Sequence, residues 1–191
     1  QMCIRDSGWI YVANNKGLLE FDGVEWNTYP IHNAKTRAVK VGHDGRIYIG
    51  GMEQFGYFTP NRLGGLEYTC LSDSLSPNVN VGVIWNILLD GDRVYFQSDR
   101  RFFYWEEGVV KKIDYSSEIY TSFILRNKLY ITSAEGLLML NGTGFIPVLG
   151  PLGIGATVKV GGLLPHTDSL LMVTRDNGLF IYDGTAFKKY N

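Results

Sequence analysis

A seven-residue segment with the pattern Gly-Leu-x-x-x-Asp/Asn-Gly occurs three times in this chain of 191 residues. The copies are Gly17–Gly23, Gly136–Gly142 and Gly178–Gly184, and the last two begin 42 positions apart. Two diverged copies, Phe55–Asn61 and Phe102–Gly108, lie between the first two. A period of about 40 residues is typical of units that bury their apolar faces by stacking on one another. The repeat therefore restricts the fold to a propeller or a solenoid.

Short apolar runs, rich in aromatic and β-branched residues, precede the five segments. These runs are Trp9–Val12, Ile47–Ile49, Val94–Phe96, Leu129–Ile131 and Leu170–Val173. Their length and composition predict buried strands. Four of them follow another apolar run across a tight turn such as Asp44-Gly45, and one more run follows each segment. Four short strands joined by tight turns predict an antiparallel blade.

The predicted fold is all-β, a β-propeller of four-stranded antiparallel blades. In Leu179–Tyr182 both faces of the strand are apolar, so a neighbouring sheet must cover each face. We expect nineteen strands in about five blades, which form an arc of a larger propeller of seven or so. The expected blades are a partial, three-stranded blade at 8–29 and complete blades at 36–70, 81–113, 119–148 and 158–190.

Residues 1–7 match no copy of the repeat and resemble a translated adapter remnant. We expect this segment to be a non-native N-terminal scar that stands where the innermost strand of the first blade belongs. The native N-terminus and any signal peptide are then missing from the sequence. Cys3 lies in this segment, and Cys70 alone cannot build a disulfide framework.

Composition excludes several classes of partner. A formal net charge of -1 gives no electrostatic reason to bind nucleic acid or an anionic membrane. Hydrophobic residues make up 45%, which argues against disorder, and no apolar run is long enough to span a bilayer. We predict no nucleic-acid partner through this region and no direct membrane contact.

The repeat resembles the two-component regulator propeller repeat of bacterial sensor proteins, especially those of Bacteroidetes. The resemblance covers essentially residues 8–191 and continues in order beyond the repeat itself. The segments that carry it are Gly17–Tyr29, Asp44–Gly50, Phe55–Phe58, Leu66–Tyr68, Leu71–Asp73, Trp85 and Val94–Ser98. The chain is similar to part of the N-terminal sensor propeller of hybrid two-component regulators.

This resemblance implies a function and a set of partners. Such propellers form the periplasmic, ligand-sensing part of a membrane-anchored regulator, and several of these regulators control polysaccharide use. The implied partners are a small-molecule or oligosaccharide ligand, the remaining blades, and downstream domains that include a histidine kinase or a DNA-binding region. We expect this segment to be non-catalytic and to need no cofactor.

Propeller geometry indicates where a ligand would bind. The loops between second and third strands, together with the connections between blades, lie at one end of every blade; we call this end the loop face. Varied loops on a rigid scaffold are the usual place for binding. The predicted ligand-binding residues on this face are Asn14, Asn15, Glu53, Gln54, Trp85, Arg100, Arg175 and Asp176. The competing interpretation is that they are ordinary solvated loop residues.

The four tryptophans all fall inside predicted strands, so packing between blades is their expected role. Trp85, on a predicted innermost strand near the loop face, stays open as a stacking surface for a sugar. The three histidines show no metal-ligand spacing, and no catalytic residue or metal site is predicted.

Two other functions remain as alternatives to sensing. A propeller lyase or glycosidase would need inward-facing catalytic groups or metal ligands near the axis. The innermost strands offer Lys40, Trp85, Asn86 and Lys159, and the lack of a carboxylate among them counts against hydrolysis. A protein-interaction scaffold would need an apolar loop face, whereas the loops are polar.

Overall fold

The computed structural model describes residues 2–4, 8–32, 35–148 and 160–190. In this part of the chain twenty strands form five four-stranded antiparallel sheets, each a meander of consecutive strands. The chain divides into two compact units, residues 1–112 and 113–191, with the boundary inside the twelfth strand. The sheets have the strand number and order of propeller blades, which confirms the predicted fold class.

The first unit contains three blades. The first consists of β1 (Met2–Ile4), β2 (Ile10–Asn14), β3 (Gly17–Phe21) and β4 (Trp26–Pro30). The second consists of β5 (Thr36–Val41), β6 (Ile47–Gly51), β7 (Phe55–Pro60) and β8 (Leu66–Cys70), followed by a short 3-10 helix, Ser72–Ser74. The third consists of β9 (Asn86–Asp90), β10 (Arg93–Gln97), β11 (Arg101–Glu106) and β12 (Val109–Asp114).

The second unit contains two blades. The fourth blade consists of β13 (Thr121–Leu125), β14 (Lys128–Ser133), β15 (Gly136–Asn141) and β16 (Gly144–Pro147). The fifth consists of β17 (Val160–His166), β18 (Ser169–Thr174), β19 (Leu179–Tyr182) and β20 (Phe187–Lys189). Residues 158 and 159, predicted to begin the fifth blade, lie outside the described residues.

The cores lie between blades, as two-sided apolar strands require. One cluster joins Leu18 of the first blade to the second blade, and another joins Tyr48 of the second blade to the third. In the second unit, Tyr130 of the fourth blade packs in one cluster with Met172 of the fifth. Tyr11, Tyr48, Tyr95, Tyr130 and Met172, the equivalent residues in the five blades, are all buried.

The first glycine and the aspartate of the repeated segment explain why the same pattern recurs in several blades. The first glycine has a positive φ, which is 134° at Gly17, the first residue of β3, and 84° at Gly178, one residue before β19. The aspartate caps the following turn, because Asp22 Oδ1 accepts the backbone N–H groups of Val24 and Glu25 at 2.8 Å. Asp183 does the same for Thr185 and Ala186, both at 2.9 Å. The segment is thus one buried strand with a glycine start and a capped turn.

The first blade has four strands, whereas the sequence predicts three. Residues Met2–Ile4 form β1, which pairs antiparallel with β2 from Met2↔Val12 to Ile4↔Ile10. Without it, the N–H and C=O groups along one edge of β2 would lack strand partners, and any extended segment nearby can supply them. Met2–Ile4, part of the predicted scar, therefore occupy the innermost strand position; the non-native origin of the segment stays a prediction.

Only one tryptophan follows the prediction of packing between blades inside a strand. Trp105 packs against the core of the second and third blades, 5.9 Å from the ring centroid of Tyr57. Trp9 and Trp85 each lie one residue before a strand, and Trp26 is 55% exposed on the outermost strand β4. An outermost strand borders solvent, so Trp26 stacks on Phe21 of its own blade instead, with centroids 4.9 Å apart.

Candidate functional site

The first unit places six of the eight predicted ligand-binding residues at the loop face, in three clusters. Asn14 ends β2, Asn15 follows it, and Glu53 and Gln54 lie between β6 and β7. In the third blade, Trp85 lies just before β9 and Arg100 lies between β10 and β11. Arg175 and Asp176 belong to the second unit, where both are exposed in the loop between β18 and β19.

The two asparagines hold the turn between β2 and β3 and its link to the second blade. Asn14 Oδ1 accepts the backbone N–H of Lys16 at 2.8 Å, and the Asn14 N–H donates to the buried Thr36 hydroxyl at 2.9 Å. Arg37 donates from Nη1 to Asn15 Oδ1 at 2.7 Å. These hydrogen bonds hold the backbone of the turn and its link to the second blade, so the two side chains are neither free for a ligand nor simply solvated.

Glu53 and Gln54 hold the connections that pass beside them. The Glu53 carboxylate accepts the N–H groups of Val81 and Gly82, both at 3.0 Å, and the Gln54 side-chain amide donates to the carbonyl of His32 at 3.2 Å. Both side chains are thus committed to backbone groups of the protein. Any ligand contact from this pair would have to be shared with these bonds.

Trp85 differs from the other predicted residues, because its ring is available. It lies just before β9 rather than inside the strand, and 50% of its surface is exposed. Its indole N–H donates to Asp99 Oδ1 at 2.6 Å, a charge-assisted bond that fixes the ring orientation. The loop face of the third blade therefore presents an aromatic surface held in place by a carboxylate.

Two glycines at the end of β6 determine the position of the backbone segment that carries Trp85. Ile84 packs where a side chain on Gly50 would otherwise stand, and the Ile84 N–H donates to the Gly51 carbonyl at 3.0 Å. The Trp85 N–H then donates to the Gln97 carbonyl at 2.9 Å. The pair of glycines after Ile49 thus lets the third blade begin against the second and leaves the indole at the surface.

Asp99 is the functional candidate that sequence reasoning missed. The loop 98–101 lies on the loop face, as predicted, but the sequence does not indicate that the Asp99 carboxylate in it contacts Trp85. Arg100 follows Asp99 and is exposed, and the exposed Met52 lies next to Val83, two residues before the tryptophan. Trp85, Asp99, Arg100 and Met52 form what we call the Trp85 surface.

The second unit organises its predicted residues differently. The Thr174 hydroxyl donates to the Gly178 carbonyl at 2.6 Å and accepts the N–H of Asn177 at 3.0 Å. This closes the loop that carries Arg175 and Asp176 and leaves both side chains exposed. They form a separate, second-unit candidate.

A cleft of about 330 Å³ lies between the second and third blades at the opposite end, the turn face. The Arg46 guanidinium lies 4.8 Å from the ring centroid of Tyr57 and 5.0 Å from that of Trp105. Asp44 Oδ2 accepts bonds of 2.8 Å from Arg46 and from the Tyr48 hydroxyl. Although burial opposes it, these bonds hold the pKa of Asp44 below its usual value. Asp44, Arg46 and Tyr48 thus satisfy one another, so these side chains leave few polar groups for a ligand in the cleft.

The sequence predicts no carboxylate on the innermost strands, but the described strand β9 ends with Asp90, at the turn face. Lys159, the other basic residue considered there, lies outside the described residues. Across the described ranges, no group of three His, Cys, Asp or Glu side chains could hold a metal ion. No helix among these residues has the length and apolar character to cross a membrane.

No protein-family model matches the chain, and no curated protein matches it. Solved structures share its fold. The extracellular domain of BT4673, a putative one-component or hybrid two-component system from B. thetaiotaomicron, matches with a TM-score of 0.68 and 16% identity. The match covers 99% of this chain and 27% of that one, so this chain spans about a quarter of the other's length. The resemblance expected from the repeat is confirmed at the level of the fold.

Propellers of other function are also similar. Virginiamycin B lyase from Staphylococcus aureus matches with a TM-score of 0.62 and 14% identity over 95% of this chain and 68% of the lyase. The WD40 β-propeller domain of Doa1 matches with a TM-score of 0.67 and 12% identity over 99% of this chain and 67% of that one. The fold is thus common to the extracellular domain of a signalling system, a lyase and a WD40 domain.

Proposed function

We propose that this chain is a non-catalytic, ligand-sensing propeller module of a bacterial two-component-type signalling regulator. The observation that carries the proposal is the exposed Trp85 ring, held on the loop face by its bond to Asp99. An aromatic face that is both exposed and oriented costs little entropy to use in binding. The similarity in fold to the extracellular domain of a two-component system supports a sensing role.

The proposed ligand is an oligosaccharide or another small molecule with one flat apolar face. The C–H face of a sugar ring packs on an indole, while Asp99 and Arg100 offer an acceptor and donors to hydroxyl groups. Asn14, Asn15, Glu53 and Gln54 would shape the rim of this site. Arg175 and Asp176 stay a separate proposal for the second unit.

The proposed location is extracytoplasmic, in the periplasm, as part of a membrane-anchored regulator. Ligand binding would change how this region packs against the remaining blades and downstream domains, which are its proposed protein partners. The shared fold with an extracellular domain supports this placement.

The experiment is a calorimetric titration of the chain with a panel of defined neutral and acidic oligosaccharides. We expect at least one to bind, and we expect Trp85→Ala to weaken its affinity at least tenfold. Trp26→Ala is the matched control, because Trp26 is equally exposed but lies on an outermost strand. Binding that survives Trp85→Ala, or is lost equally in both variants, would contradict the proposed site.

The alternative function is a carbohydrate-active propeller enzyme, a lyase or glycosidase. The similar fold of virginiamycin B lyase supports this alternative. Mass spectrometry of the oligosaccharide after prolonged incubation separates the two, because a sensor returns its ligand intact and an enzyme does not. A protein-interaction scaffold would instead show no oligosaccharide binding at all.

A further inference from the structure

A cavity of about 410 Å³ lies between the first and second blades, at the turn face, away from the Trp85 surface. The first blade lines it with Trp9, Tyr11 and Glu20. The second blade supplies Pro60 and, from the turn and the start of β8, Gly64, Gly65 and Leu66. A Cβ on Gly64 would meet nothing within 4 Å, so this wall leaves open space.

Glu20 is the unusual member of this lining. It lies on β3 opposite Tyr11, on the same strand face as the core residue Leu18, and only 3% of it is exposed. Its Oε1 accepts a long hydrogen bond of 3.3 Å from the Tyr29 hydroxyl, and the Tyr11 hydroxyl also interacts with the carboxylate. Its Oε2 is buried and has no hydrogen-bond partner among the described residues. A buried, half-satisfied carboxylate needs an explanation.

The surroundings of Glu20 favour a cation as the missing partner. The charged group that acts on it most clearly is Asp22, which repels a second negative charge. Arg62, in the adjacent turn, is exposed and does not line the cavity. An isolated buried carboxylate is costly, and a bound cation relieves that cost.

The rest of the lining suits an organic ammonium group rather than a metal ion. Trp9 and Tyr11 are aromatic and attract cations through their ring faces, and Pro60 and Leu66 provide apolar contact for carbon atoms. One carboxylate is too few oxygen ligands for Ca²⁺ or Mg²⁺. Half-exposed Trp9 lies at the entrance, while Tyr11 and Glu20 form the buried end.

We propose that this cavity, which we call the Glu20 pocket, binds a small organic amine whose ammonium group pairs with Glu20 Oε2. The carbon skeleton of the amine would lie against Trp9 and Leu66. This site is independent of the Trp85 surface, and it holds whether or not that surface binds a saccharide.

The experiment compares benzylamine with benzyl alcohol, a neutral probe of similar size, by ligand-observed NMR on the full chain at pH 7.5. We expect benzylamine to bind at least tenfold more tightly. Glu20→Gln should abolish this preference, because the variant keeps shape and removes charge. Glu67→Gln, at an exposed position of β8 in the second blade, is the matched control and should keep it.

Several results would overturn the proposal. These are equal affinity for the two probes, no binding of benzylamine, or a preference that survives Glu20→Gln. Arg62→Ala should leave the affinity within twofold, since a tenfold gain would show that Arg62 occupies the pocket itself. Should Glu20→Gln fold poorly, Trp9→Leu provides a second test, because loss of the aromatic face must weaken benzylamine binding several-fold.

Discussion

The Glu53 carboxylate holds two successive backbone N–H groups of the connection between the second and third blades, those of Val81 and Gly82. Both distances are 3.0 Å, and the Glu53 N–H returns a bond of 2.8 Å to the Gly82 carbonyl. Glu53 itself adopts φ of 57°, a conformation that side chains other than glycine seldom take. The backbone accepts this strain at the one residue whose carboxylate secures the entry to the third blade.

We expect Glu53→Ala to lower the free energy of unfolding by about 1–2 kcal/mol, because two charge-assisted bonds are lost at a partly exposed site. Urea denaturation measures the change. Glu107→Ala is the matched control, since Glu107 is also an exposed glutamate at positive φ, 51°. Equal losses in the two variants would mean that backbone strain, and not the carboxylate, controls the effect.

The repeat architecture could be predicted well from the sequence because every blade is formed by the same kind of local contacts. The buried tyrosines, the glycine start of β3 and the capped turn at Asp22 all depend on contacts within one or two strands. Patterns of this kind are visible in the order of residues. The fold class followed from them directly.

The roles of the predicted ligand-binding residues were harder to predict, because these roles depend on partners from other blades. Asn15 meets Arg37, and Glu53 meets a connection 28 residues later. Residue type alone marked these side chains as polar, but it could not show that they are already engaged. Glu20 was passed over for the opposite reason: a carboxylate inside a repeat strand looks solvent-facing until a second blade covers it.

A second prediction concerns the contact between Gly50 and Ile84. Gly50→Ala should destabilise the chain by about 1–3 kcal/mol, because the new methyl group overlaps the Ile84 side chain. Ile84→Ala should also destabilise it, by about 2–5 kcal/mol, through the cavity it leaves. The double variant should lose less than the sum of the two, because each change makes room for the other.

Gly144→Ala is the control for these measurements, since a Cβ there would meet nothing within 4 Å. It should change the free energy of unfolding by less than about 0.5 kcal/mol. Strict additivity in the Gly50 and Ile84 pair would contradict the close contact.

A third prediction concerns Arg46, whose guanidinium lies over both Tyr57 and Trp105. Arg46→Lys keeps the charge and loses the planar group, so we expect a loss of about 0.5–1 kcal/mol in unfolding free energy. Arg62→Lys, at an exposed turn, should have no measurable effect. A salt titration adds a check: an effect that vanishes at 1 M NaCl would assign the loss to the ion pair with Asp44 instead.

The last prediction is a pH dependence of opposite sign at two carboxylates. Burial raises the pKa of Glu20 above its ordinary 4.5, although the Tyr29 and Tyr11 hydroxyls oppose the shift. The folded state therefore binds a proton more tightly than the unfolded state, and stability contributed by this group falls as pH rises above about 4.5. Glu20→Gln should accordingly gain stability relative to the unmodified chain between pH 4 and pH 7.

Asp183 should behave in the reverse way. Hydrogen bonds from the Thr185 hydroxyl and from the N–H groups of Ala186 and Thr185 lower its pKa below the ordinary 3.8. Its stabilising contribution is present above that value and decreases as pH falls, so Asp183→Asn should cost stability at pH 7 and progressively less as the pH falls below 3.8. Thermal melts of the two variants across this range give the slopes. If the stability differences of the two variants changed with pH in the same direction, Glu20 would not be held in an unfavourable, buried charge state. Only opposite environments of the two carboxylates make these differences change in opposite directions.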